Sequence, residues 1–149
     1  MITLRPATLQ DAIHLYVWRN DPVTRAMFRD TAWISWESHR QWLRDVLEDI
    51  NRRLFVAERD GTPVGTIRFD IDPSGDAEVS VTAAPETRGG GVGAEIIRAG
   101  TAEVLQSRFV GRIVARIKME NIASQKAFAK AGYAESARTE SEVVMLVSR

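Results

Sequence analysis

The sequence predicts an α+β fold, a single mixed sheet with helices packed on it. Three observations carry this. Two helical stretches precede a run of three strands joined by tight turn signals, and that run gives way to alternating helix and strand. The length of 149 residues also suits one compact domain and is short for two, so one domain spans 1–149.

Taken in order, Ile2-Thr3-Leu4-Arg5 alternates as a strand should, and Pro6-Ala7-Thr8 breaks it. Thr8 suits the N-cap of a helix on which Ala12, Leu15 and Tyr16 share a face that Arg19 continues. Asn20-Asp21-Pro22 stops that helix and opens a short one with Pro22 in its first turn. The stretch 35–51 reads as a second long helix, with Ser35 as N-cap and Trp42, Val46 and Ile50 recurring at spacing four as its buried face.

Strands at 54–58 and 64–71 flank Arg59-Asp60-Gly61-Thr62, an Asp-Gly hairpin turn. A second turn cluster from Asp72 to Asp76 leads into an apolar-rich strand at 77–84, which completes an antiparallel meander. A helix follows at 91–107, a strand at 111–118, a helix at 123–131 ended by Gly132, and two strands flanking 138–141. An edge strand at 143–147 would offer pairing between subunits, hence a homodimer.

Composition narrows the function by exclusion. With 44% hydrophobic and 27% charged residues and a formal net charge of zero, the chain has no charge excess for a nucleic-acid surface. It has no cysteine, which excludes disulfides, thiolate metal sites and a cysteine nucleophile. The opening Met1-Ile2-Thr3-Leu4-Arg5-Pro6 carries no apolar run of signal-peptide length and no stretch approaches a membrane span, so a cytoplasmic protein is expected.

The chemistry concentrates in Pro85-Glu86-Thr87-Arg88-Gly89-Gly90-Gly91-Val92-Gly93, between a strand and a helix. Glycines tolerate positive φ and let successive N–H groups turn toward one anion, and the helix start adds roughly half a positive charge. Arg88 adds a fork-shaped donor, so the loop suits a pyrophosphate. Gly89, Gly91 and Ala94 also fit the dinucleotide pattern G-x-G-x-x-A, but that fold places its glycines after a first parallel strand, with further βαβ units beyond. No Gly-Lys-Ser or Gly-Lys-Thr follows, which leaves out the nucleoside-triphosphate loop.

Arg88-x-x-Gly91-x-Gly93 after a strand resembles the acetyl-coenzyme A loop of the GNAT superfamily of N-acetyltransferases. A second block agrees. Asn121-Ile122-Ala123-Ser124-Gln125-Lys126-Ala127-Phe128-Ala129-Lys130-Ala131-Gly132-Tyr133 resembles that family's late segment, where an Asn opens a helix and a Gly with an aromatic residue closes it. The resemblance implies two central parallel strands, 77–84 and 111–118, that splay apart, with the cofactor's pantetheine arm paired to the backbone of Val81, Thr82 and Ala83. It also implies cofactor contacts from Arg88 to Gly93, with Gly89, Gly90 and Val92 among them, and from Asn121, Ser124 and Phe128.

Direct attack of an amine on a thioester needs a proton acceptor, an oxyanion donor and an acid for the thiolate. The resemblance implies a Tyr acid on the late helix, where this chain has Phe128; Tyr16 on the first helix is the candidate acid in its place, and Tyr133 reads as a core aromatic. Glu78 is the first candidate base and His39 the second. Trp18-Arg19-Asn20, Arg25-Ala26-Met27-Phe28, Ile34-Ser35, His39 and Trp42 look like the acceptor side of enzymes that acetylate nucleotide-linked 4-amino sugars, in which Arg19 or Arg25 would meet a phosphate. The same segment resembles enzymes acetylating ribosomal-protein N-termini. The expected acceptor is therefore a small-molecule or peptide amine, and a non-catalytic acyl-coenzyme A binding module is the competing reading.

Overall fold

The computed structural model describes all 149 residues. β1 (Ile2–Pro6) leads into a 3-10 turn at Leu9–Asp11, which is sealed by a capping box: the Thr8 hydroxyl accepts from the Gln10 N–H and the Asp11 carboxylate accepts from the Thr8 N–H. The expected Thr8 cap therefore closes this turn, and α1 (Ala12–Arg19) starts after it. α2 (Pro22–Ala26) follows, capped by Asp21, and then α3 (Trp36–Glu48), capped by Ser35. Beyond them lie β2 (Arg52–Arg59), β3 (Thr62–Ile71), β4 (Asp76–Ala83), α4 (Val92–Leu105), β5 (Arg112–Lys118), α5 (Ile122–Lys130), β6 (Ala134–Arg138) and β7 (Glu142–Ser148). No helix is long and apolar enough to cross a membrane.

The seven strands form one sheet in the order β1-β2-β3-β4-β5-β7-β6. Both faces are covered. Alternate strand residues such as Ile67, Phe69, Ala77, Val79, Ile113 and Ile117 face α4 and α5 in the larger core, with Val92, Ile96, Ile97 and Val104. The other face packs Leu54 and Val56 against Leu15 and Trp18 of α1 and Leu43 and Val46 of α3. α4 sits very close to β3: a Cβ on Gly65 would come 2.6 Å from the Thr82 carbonyl oxygen and 2.7 Å from Ile96 Cδ1.

Two sequence expectations need correction. α3 ends at Glu48, so Ile50 lies beyond it and is 90% exposed, and the buried stripe is His39, Leu43 and Val46 rather than Trp42, Val46 and Ile50. Strand 143–147 is not an edge, because β7 is hydrogen-bonded to β5 on one side and β6 on the other. The sheet's edges are β1 and β6, so that route to a dimer is closed.

Candidate active site

β4 and β5 are the parallel neighbours, and they pair over three positions only: Asp76 with Arg112, Ala77 with Ile113 and Glu78 with Val114. Beyond that rung the strands part. Ala84 N–H donates to the Val64 carbonyl and Asp72 N–H to the Asp76 carbonyl, so even-numbered residues of β4 turn their backbone groups to β3. Val79, Val81 and Ala83 therefore present theirs to the gap. By the same alternation, Met119 N–H donates to the Ser141 carbonyl, which leaves Arg116 and Lys118 facing the gap from β5. Of the expected backbone partners, Val81 and Ala83 are open and Thr82 is not. From Glu78 to Ala83 the gap runs roughly 17 Å at about 3.3 Å per residue.

At the far end of the gap stands the glycine loop. Gly91 is the N-cap residue of α4 with φ 76° and Gly89 has φ 83°, left-handed conformations that favour glycine. The first N–H groups of α4 have no helical partner there. Arg88, exposed on the loop, donates through Nη2 to the carboxylate of Asp21 and to Thr24 Oγ1 at 2.8 Å. Lys130 Nζ lies 4.0 Å from where a Cβ on Gly91 would sit. Across the gap Asn121 caps α5, its side chain accepting from the Ser124 N–H at 3.1 Å, and Gln125 Nε2 donates to the carbonyls of Lys118 and Met119.

Beside the gap, on the α1 and α3 face of the sheet, is a cavity of about 220 Å³. Leu15, Trp18 and Arg19 reach it from α1, one helix face at spacings of three and four, and His39 and Trp42 reach it from α3. Thr66 and Arg68 of β3 with Ser80 and Thr82 of β4 form its floor, while Phe28, Asp30 and Ile34 close it from the loop before α3. Trp42 carries Arg19 Cζ 4.7 Å from its ring centroid and Arg68 Cζ at 5.5 Å.

The structure brings together Trp18, Arg19, Phe28, Ile34, His39 and Trp42 from the sequence-derived acceptor set and keeps Asn20, Arg25 and Tyr16 apart from them. Asn20 is buried and spent on the fold: its amide donates to the Ile34 carbonyl and accepts from the Ile34 N–H, both at 2.9 Å. Arg25 is likewise occupied, bound to the Asn20 carbonyl at 3.1 Å and the Thr31 carbonyl at 3.3 Å. Tyr16 lies off the cavity face of α1, packed edge-on against Trp36 and Trp33. Phe128 is 2% exposed and packs against Tyr133, so it is a core residue rather than a cofactor contact. Tyr133 is no acid either: its hydroxyl is hydrogen-bonded to Thr101 Oγ1 at 2.8 Å and burial pushes its pKa up to about 12.

His39 is fully buried in an aromatic cluster, its ring 5.7 Å from that of Trp42 and 6.0 Å from that of Trp36. Nε2 lies 3.0 Å from the Ala12 carbonyl, an acceptor only, so it carries the proton and Nδ1 holds the lone pair. Burial is the main cause that lowers the His39 pKa, and the charge of Arg19 adds to it. Glu78 sits on the last paired rung, its carboxylate 3.4 Å from Arg116 Nε and 43% exposed, outside the cavity lining but on the same strand face as Ser80 and Thr82. Arg68 is a cavity residue that sequence reasoning missed. The signal was the polar alternation Thr66-x-Arg68-x-Asp70 opposite Ile67 and Phe69, which marks a polar stripe without saying that α1 and α3 roof it.

Residues 1–134 match the family model for an acetyltransferase (GNAT) domain. No curated protein sequence matches. The fold is similar to the aminoglycoside acetyltransferase AAC(6')-Ib, solved with coenzyme A and kanamycin, with a TM-score of 0.88 and 20% identity over 100% of this chain and 95% of that one. It is similar too to spermidine N-acetyltransferase from Vibrio cholerae, solved with coenzyme A and spermine, with a TM-score of 0.89 and 18% identity over 99% and 95% of the two chains. Ribosomal-protein-alanine N-acetyltransferase from Brucella melitensis shares 26% identity with a TM-score of 0.83 over 99% of each chain.

Proposed function

Because the chain belongs to the GNAT acetyltransferase family, we propose that it transfers the acetyl group of acetyl-coenzyme A to a primary amine. The observation that carries this is the parting of β4 and β5 after Glu78, which opens backbone groups between the glycine loop at one end and the cavity beside it. The α4 N–H groups and Arg88 to Gly93 hold the pyrophosphate, the backbones of Val81 and Ala83 pair with the pantetheine arm, and Asn121 and Ser124 border it. The thioester supplies an electrophilic carbonyl and a good leaving group, a thiolate whose parent thiol has a pKa of about 8.5.

Glu78 is the general base in this reading. It stands where the strands part, in contact with solvent, whereas His39 Nδ1 is sealed from solvent and its pKa is lowered. The acceptor nitrogen bonds to the acetyl carbon as the C–S bond breaks, its proton passes to Glu78, and solvent protonates the thiolate. Turnover with a panel of amines tests this. The wild type transfers acetyl, and Glu78→Gln lowers kcat by about 100-fold with little change in acetyl-coenzyme A affinity. An unchanged kcat removes Glu78 from the chemistry.

For the acceptor, the aromatic and guanidinium surface of Trp18, Arg19 and Trp42 supports a nucleotide-linked amino sugar. The likeness to the ribosomal-protein enzyme favours a protein N-terminus as the second reading. The burial of Phe128, with no tyrosine at the gap, favours a third, a non-catalytic acyl-coenzyme A binding module. Binding without turnover of any amine selects the third.

A further inference from the structure

Arg19 is a half-buried guanidinium with one donor left unmatched. Its Nη1 is buried and has no hydrogen-bond partner. An arginine cannot escape that cost by losing its proton, so the orphaned donor calls for a partner in the cavity, a ligand oxygen or a water that a ligand would displace. The groups facing it are a second cation, Arg68, whose charge opposes its own, and Asp30, which offsets part of it. Arg68 is held by Asp70, with Nε to Oδ1 at 3.1 Å and Nη2 to Oδ2 at 3.3 Å. The remaining titratable lining group, His39, is neutral, so the lining holds two guanidiniums and the Asp30 carboxylate, with Asp70 paired to Arg68 from outside the lining and Arg19 the cation left without a hydrogen-bonded counter-ion.

We infer that Arg19 and Arg68, both set against Trp42, form an anion seat, and that the acceptor carries a phosphate or carboxylate group on the same molecule as its amine. This rests on the reading of the cavity as the acceptor site. Arg19 Nη1 and the guanidinium edge that Arg68 does not give to Asp70 offer N–H donors against one indole, a surface that fits a planar or tetrahedral oxyanion better than a polycation. The seat therefore sets this chain apart from a spermidine or aminoglycoside enzyme. It also names Arg68 as a specificity residue.

Matched amines test it on the intact protein with acetyl-coenzyme A. Glucosamine 6-phosphate is compared with glucosamine for the phosphate source, glycyl-aspartate with glycyl-asparagine for the carboxylate source, and spermidine serves as the polycation. Calorimetry of the same amines on the coenzyme A complex reads binding whether or not acetyl is transferred. The expected result is a KM or Kd at least about 10-fold lower for the anionic member of one pair, a preference abolished by Arg68→Gln and by Arg19→Gln with kcat changed far less. Arg68→Gln is the safer variant for folding, and Arg19→Lys, which keeps the charge and loses the fork, retains part of the preference. Equal values within both pairs, or a preference that survives both Gln substitutions, overturns the seat. Anion-selective binding without transfer leaves the seat and removes the acetyltransferase reading; acetylation of spermidine with no anionic preference does the reverse.

Discussion

The Arg88 guanidinium on the glycine loop donates to the carboxylate of Asp21, 67 residues earlier, at the start of α2. That carboxylate also caps α2 by accepting from the Thr24 N–H at 3.0 Å, and the hydrogen bond from Arg88 is the main reason its pKa lies below the usual value. The proposed pyrophosphate site and the segment leading to the cavity thus share one charged contact. A pyrophosphate competes with Asp21 for the charge of Arg88. An exposed pair of this kind contributes about 0.2–1 kcal/mol. Asp21→Asn is expected to tighten acetyl-coenzyme A binding by up to about fivefold, and Arg88→Ala to weaken it; calorimetry on both variants reads this.

His39 makes stability fall on the acid side. Its folded pKa is lowered, so between that value and the unfolded value of about 6.5 the unfolded chain binds the extra proton. The sign follows: the contribution is complete above about pH 6.5 and is lost as pH falls toward the folded pKa. His39→Phe keeps an aromatic ring between Trp36 and Trp42 but has no ionisable group. Denaturant unfolding at pH 7 and pH 5 is expected to show a smaller acid-side loss in the variant than in the wild type.

Replacing Phe128 by Tyr does not restore a catalytic acid. The ring is 2% exposed and faces Tyr133 at 4.9 Å, so an added hydroxyl enters the core without a route to the gap. Phe128→Tyr is expected to leave kcat unchanged and to lower stability by about 1–3 kcal/mol. A rise in kcat with a new alkaline limb in its pH profile would contradict this placement.

Local signals carried most of the fold. The Asp60-Gly61 hairpin appears with both residues at positive φ, 52° and 78°, and Ser35, Asp21 and Asn121 each cap the helix that follows them. What local signals do not hold is which neighbour a strand takes, and so 143–147 read as an edge when β6 and β5 enclose it. The same limit governs the site. Arg88 to Gly93 announce themselves because backbone geometry is local, whereas Arg19, Arg68 and Trp42 come from α1, β3 and α3 and meet only in the folded chain. Asn20 and Arg25 looked like ligand contacts because polar side chains look alike until their fold partners, Ile34 and Thr31, are in place.

The most direct test of the central claim is calorimetric binding of acetyl-coenzyme A to the wild type and to Gly90→Asp. Gly90 is exposed, lies outside the left-handed region, and a Cβ there meets only the Thr87 carbonyl oxygen at 3.6 Å, so the variant adds a negative charge to the loop without straining the backbone. Gly91, at φ 76°, offers no such clean substitution. The account predicts micromolar binding by the wild type and a loss of at least about tenfold in the folded variant. No binding by the folded wild type, or equal binding by both proteins, would contradict the assignment of the loop and the gap to the cofactor.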